Sequence, residues 1–341
     1  VSRGEWQVEL KGMKRKIMVL ALGATLLTLC FSVEAQQRGK IPRIGYFDST
    51  TAAGSAVRRE AFWQDMRKLG WIEGKNIAIE YRYGEGKIDR YREIAAEVVR
   101  LKVDLIVVEG TGLALAAKSA TTNIPIVMTN AGDPVGAGLV DSLARPGGNV
   151  TGSASLTPEL NTKRLEILKD AVSELIRVGF LFPERSGVAA ELQLKELRPA
   201  ALALKLKLEE IEAQPNPKAL ESAFQTAKQK QVGAIMTQSV RPFFVERKRI
   251  VELAVKHRLP GIYPEKGFVD EGGLMSYGVD FDDLYPRAAV YVDKILKGAK
   301  PADLPVQQAT KFEFVINLKA AKQIGLTIPA RVLERANQVI K

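Results

Sequence analysis

One histidine and one cysteine in 341 residues leave few routes to side-chain catalysis. His257 closes an amphipathic pattern just before Leu259-Pro260, where a polar or cationic group complements a helix C-terminus. It is therefore read as structural, and a histidine-based triad has no support. No Gly-x-Ser-x-Gly elbow, Walker loop or His-x-x-x-His pair occurs. Cys30 lies in an N-terminal segment expected to be removed, so the remaining chain would lack a thiol nucleophile, a disulfide and cysteine metal ligands. Hard metals would have to use Asp48, Asp133 or Glu265, which come from different loops. No cofactor is expected.

What remains is a set of small hydroxyl, amide, carboxylate and glycine positions, each just after a short apolar run. Asp48-Ser49-Thr50-Thr51 follows the first run, and Glu109-Gly110-Thr111-Gly112 follows the third. Thr111 has two readings. It caps its own helix, or it joins the free N–H groups there in holding a carboxylate. Asn130, Gly132 and Asp133 belong to a glycine-rich loop over 130–138 that reads either as a bare turn or as a ligand-approaching backbone. Further along stand Pro183-Glu184-Arg185-Ser186, Gln238-Ser239, Tyr263-Pro264-Glu265 and Tyr277-Gly278-Val279-Asp280. The candidate ligand residues are thus Asp48, Ser49, Thr50, Gly110, Thr111, Gly112, Asn130, Gly132, Asp133, Glu184, Ser186, Gln238, Ser239, Tyr263, Glu265 and Asp280. Each alone is weak, and their recurrence at strand ends in both halves is the stronger signal.

The elements that must position them alternate. Strands are expected near 43–47, 77–83, 105–108, 124–128 and 150–153, with helices over 56–69, 89–101 and 111–122 between them. A loop with a short helix precedes the fifth strand. A second series has helices near 158–171, 188–204, 217–230, 242–257 and 282–296. Its strands fall near 177–182, 206–211, 232–237, 259–263, 274–277 and 312–316, and a last helix covers 329–340. Alternation of this kind implies an α/β fold of two three-layer α/β/α lobes with mainly parallel sheets. Binding groups in such folds stand beyond the carboxyl ends of the strands. The expected division is an N-terminal lobe over 41–155, a C-terminal lobe over 156–280, and crossovers with terminal elements over 281–341. Hinges fall near 153–157, 279–282 and 308–312.

Residues 13–35 read as a secretory signal. Lys14-Arg15-Lys16 precede an uncharged run over 17–33, and Val33 and Ala35 suit a peptidase that cuts after Ala35. Met13 is the natural start of that segment. The alternatives are a retained anchor, for which the run is short, and lipidation at Cys30. The net charge of +11 comes with only local basic clusters such as Arg247-Lys248-Arg249. Arg58-Arg59 and Lys102 read as solvated helix faces, and nothing resembles a nucleic-acid surface.

Several longer blocks resemble the tryptophan/tyrosine-type family of ABC transporter substrate-binding proteins, with the type I periplasmic-binding architecture. They include Ile41-Pro42-Arg43-Ile44-Gly45-Tyr46 and Phe62-Trp63-Gln64-Asp65-Met66-Arg67-Lys68-Leu69-Gly70-Trp71. The most specific runs from Asp133-Pro134-Val135-Gly136-Ala137-Gly138 to Pro146-Gly147-Gly148-Asn149-Val150-Thr151-Gly152. The resemblance spans nearly all of the chain beyond residue 41. It implies a monomeric periplasmic receptor, not an enzyme, that closes on a small carboxylate-bearing solute such as an amino acid or aromatic acid. It also implies delivery to a membrane permease with a separate ATPase subunit. In characterised relatives the ligand carboxylate lies near the loop matching Gly110-Thr111-Gly112. Two other readings stay open at this point: a ligand-sensing module of a membrane receptor, and an exported enzyme working from Asp, Glu or Tyr. Trp63 and Trp71 are expected to pack around the first helix rather than in a cleft.

Overall fold

The computed structural model describes residues 40–341 apart from 184–186. The expected signal with Cys30 and Ala35, and the candidates Glu184 and Ser186, lie outside the described residues. In chain order the first half runs β1 (Arg43–Asp48), α1 (Ala52–Lys68), β2 (Ala78–Tyr83), α2 (Tyr91–Arg100), β3 (Leu105–Glu109), α3 (Thr111–Ala120), β4 (Ile126–Ala131) and β5 (Val150–Ala154). Then come α4 (Thr157–Ala171), β6 (Arg177–Phe182), α5 (Val188–Ala203), β7 (Lys207–Glu212), α6 (Pro217–Gln229), β8 (Ala234–Thr237), α7 (Arg241–Val245), α8 (Arg247–Lys256), β9 (Gly261–Tyr263), α9 (Lys266–Asp270) and β10 (Met275–Val279). The chain closes with α10 (Phe281–Leu296), β11 (Gln307–Gln308), β12 (Phe312–Asn317), α11 (Leu318–Ile324), α12 (Ala330–Leu333) and β13 (Gln338–Ile340).

Two sheets result, ordered β11-β5-β4-β3-β1-β2 and β13-β12-β10-β9-β8-β6-β7. All strand pairs are parallel except β10 with β12. Helices cover both faces of each sheet, so the central strands are mostly apolar; β3 reads LIVVE, apolar up to Glu109, and is buried at every position. One face of the first sheet packs Ile106, Val108 and Met128 against Leu113 and Ala117 of α3. The other packs Tyr46, Phe62 and Trp63 with Tyr285 and Val292 of α10. Trp63 is buried there, and Trp71 donates its Nε1–H to Asp293 at 2.9 Å. The second sheet buries Phe180, Met236 and Phe314 on one face and Ile235, Phe224 and Phe243 on the other. Burying one such side chain stabilises the fold by about 1.5–3 kcal/mol.

The chain passes between the sheets after β5, after β10 and between β11 and β12, since α10 packs on the first sheet, β11 pairs with β5, and β12 pairs with β10. Each sheet contains the order 2-1-3-4-5 of a doubly wound fold. The first counts from β1, with its switch point between β1 and β3; the second counts from β6, with its switch point between β6 and β8.

Three local expectations need correction. Residues 329–340 do not form one helix: α12 is four residues long, and 338–340 pair as β13 beside β12. Asn337 explains the change, because its backbone N–H donates to Phe314 O and its Oδ1 accepts the Phe314 N–H. The span 242–257 breaks at Glu246 into α7 and α8. No short helix forms before β5. Asp133 Oδ1 instead accepts the Gly136 N–H at 2.8 Å, and Gly138 and Gly147 take positive φ values, which favours successive turns.

Candidate functional site

Both switch points open onto one cleft. The first lobe supplies the loop after β1 and the loop after β3, backed by the ends of β4 and β5. The second supplies Pro183 after β6, the start of α5, and residues 239–242 after β8. The lining of the cleft includes Ser49, Tyr91, Glu109, Thr111, Asn130 and Arg241.

The sequence builds the first-lobe wall by linking neighbouring strand ends. Gly110 donates its N–H to Asn130 O at 2.8 Å. It is also the N-cap of α3, with φ 85° and no side-chain cap. Thr111 is therefore not a cap. It is the first residue of α3, and its Oγ1 accepts the Gly132 N–H at 3.0 Å, joining the β3 and β4 loops. Thr157 donates its N–H to Gly132 O, and its hydroxyl lies 2.8 Å from Ser155 Oγ, which adds the end of β5. The first N–H groups of α3 lack acceptors within the helix, and Thr111, Gly112 and Leu113 line the cleft. Tyr91 is pinned beside them, because a Cβ at Gly84 or Gly112 would come within 2.9 or 3.2 Å of its ring.

Behind this wall lies a cluster of buried charges. Asp48 Oδ1 accepts from the Thr50 N–H at 2.8 Å and the Thr50 hydroxyl at 2.7 Å. Burial, reinforced by the neighbouring Glu109, raises its pKa to about 6. Burial would also raise Glu109, yet Arg241 and Arg58 hold it below the usual carboxylate range, assisted by the Tyr285 hydroxyl. Glu109 Oε1 accepts from Arg58 Nη1 and from Tyr285 OH, both at 2.9 Å. Arg58 Nη2 reaches across to Glu265. Arg241 Nη2 donates to Gly54 O at 2.6 Å, a second contact between the lobes. Among the described residues, Arg241 Nε and Nη1, Glu109 Oε2 and Asn130 Oδ1 are buried without a hydrogen-bond partner. Unpaired buried groups of this kind are costly unless something else satisfies them.

Seven of the sequence candidates line the cleft: Ser49, Gly110, Thr111, Gly112, Asn130, Gly132 and Ser239. Asp48 and Thr50 lie buried behind it, and Gln238 is buried beneath Ser239. Asp133 turns back onto its own loop. Glu265 and Asp280 line a neighbouring groove between the lobes. Tyr263 does not reach the cleft; its ring stacks on Phe268 at 4.7 Å within the second-lobe core. Sequence reasoning missed Tyr91, Gln193, Arg58 and Arg241. In the sequence Arg58-Arg59 reads as a solvated face, although Arg58 stands in the early turns of the helix that follows a strand-end loop. Arg241 comes two residues after Ser239 and was open to the same strand-end argument.

A cleft between two doubly wound lobes, lined from both switch points, defines a solute receptor. The family model for ABC transporter substrate binding proteins matches residues 54–340, and the chain belongs to that family. It is 30% identical over 277 residues to a tyrosine-binding protein of Clostridioides difficile (strain R20291), an alignment covering 79% of this chain and 76% of the relative. A Streptococcus pneumonia ABC domain in complex with L-Trp superimposes with a TM-score of 0.78 at 28% identity, covering 88% of this chain and all of the other. A ligand-free, open substrate-binding protein from Clostridium difficile gives 0.59 at 25% identity over the same shares. The chain is thus a non-catalytic solute-binding protein of an ABC importer, a class that works in the periplasm with a membrane permease and ATPase.

Proposed function

We propose that the cleft captures one small carboxylate-bearing solute, an amino acid or aromatic acid. The observation that carries this reading is the pairing of unfilled donors and acceptors around one space. The first N–H groups of α3 and the unpartnered N–H groups of Arg241 suit a carboxylate. Asn130 Oδ1, beside the Glu109 carboxylate on the cleft lining, suits an ammonium. Ile88, Tyr91, Leu113, Val240 and Pro242 offer apolar surface to a side chain. The relatives named for tyrosine and solved with L-Trp support the same class. Ser49, Gly110, Thr111, Gly112, Asn130, Gly132 and Ser239 are the sequence candidates we assign to ligand contact.

The lobes are proposed to divide at 41–155 and 156–280, with 281–341 completing both, and the receptor to act as a monomer after cleavage near Ala35. Thermal-shift screening against amino acids, aromatic acids and branched acids tests the ligand class. Stabilisation by an acid and none by its carboxamide is expected; equal shifts from both would remove the carboxylate from the account.

A further inference from the structure

We infer that Arg58 is a positioning residue that ties the cleft-lining carboxylate of Glu109 to closure of the two lobes through Glu265. The three residues come from separate elements. Arg58 is on α1 and Glu109 ends β3, both in the first lobe, whereas Glu265 is the N-cap of α9 in the second. Arg58 holds Glu109 through Nη1 and Glu265 through Nη2. Its guanidinium carbon lies 4.2 Å from the Phe281 ring centre, 5.0 Å from Phe244 and 5.7 Å from Tyr285. Those rings come from α10 and α7, so the cation is enclosed by both lobes and by the helix that begins at a crossover. The side chains of Arg58 and Glu265 are 12% and 9% exposed.

The logic of the device is differential. In an open molecule Arg58 and Glu265 separate into water, and neither needs the other. In the closed molecule both are shielded, and loss of one leaves the other buried and uncompensated. Removing the charge of Glu265 therefore penalises the closed form alone, which shifts the equilibrium towards the open one. A lysine at position 58 keeps one positive charge but not the planar fork that spans two carboxylates. The inference rests on the reading that the cleft holding Glu109 is the solute site, but its test needs no solute.

Spin labels on Lys75→Cys and Lys228→Cys, exposed positions in the first and second lobes, report lobe separation in a Cys30→Ser background. Electron–electron distance measurements on the ligand-free protein should show a closed population. Glu265→Gln should lower its closed-to-open ratio at least ten-fold, and Arg58→Lys should do likewise. Glu265→Asp should restore part of it. An unchanged distribution in Glu265→Gln and Arg58→Lys, or no closed population in the parent protein, would overturn the inference. Failure of every acid to bind would sink the solute reading and leave this measurement standing.

Discussion

Thr111 does its work through a single oxygen. Its hydroxyl accepts the Gly132 N–H and so fixes two cleft-lining loops in register. Thr111→Val should leave that N–H without its partner and cost about 1–3 kcal/mol of stability, with weaker solute binding, whereas Thr111→Ser should retain most of both. Denaturant unfolding of the two variants measures the difference. Asp48 supplies a pH signature. Its folded pKa of about 6 lies above the ordinary value of 3.8, so the folded state holds the proton more tightly. That contribution is fully present below about pH 4 and is lost as pH rises through about 6. Asp48→Asn mimics the protonated form. It should therefore gain stability relative to the parent between pH 4 and 7, by at most about 3 kcal/mol. Parallel unfolding curves at every pH would show that Asp48 does not titrate in this range.

Elements meet at positions that admit no side chain. A Cβ at Gly278 in β10 would lie 1.7 Å from Pro264 O, and one at Gly152 in β5 would lie 2.1 Å from Met128 O. Gly152 also has φ 130°. Gly278→Ala must part β10 from the segment after β9, next to the crossover into α10, and should destabilise by roughly 1–3 kcal/mol or more. Thermal melting that matches the parent would contradict that contact. The alternation of strand and helix was legible because buried parallel strands are continuous apolar runs bounded by glycine and polar turns; β3 and β4 show it plainly. The C-terminal strand was not, because Asn337 and its pairing with Phe314 lie more than twenty residues apart. The break at Glu246 likewise has no local composition signal. Within the cleft, Ser49, Asn130 and Ser239 were readable as strand-end residues. The partnership of Arg58 with Glu109 and Glu265 spans 51 and 207 residues, and no spacing rule reaches it.

At the scale of the whole molecule, two lobes with the same strand order face their switch points at each other, and the chain crosses between them three times. Such a frame lets a bound solute contribute contacts that exist only when the lobes are together, so binding favours closure. Arg241 stands at the meeting point: it comes from the second lobe, bonds Gly54 O of the first, and keeps Nε and Nη1 buried without a hydrogen-bond partner. The most direct test is calorimetric titration of the parent protein and Arg241→Gln with a panel of amino acids, aromatic acids and branched acids. The account predicts one solute per chain for the parent and at least a ten-fold weaker affinity for the variant. No heat from any acid with the parent, or equal affinity in both proteins, would contradict it.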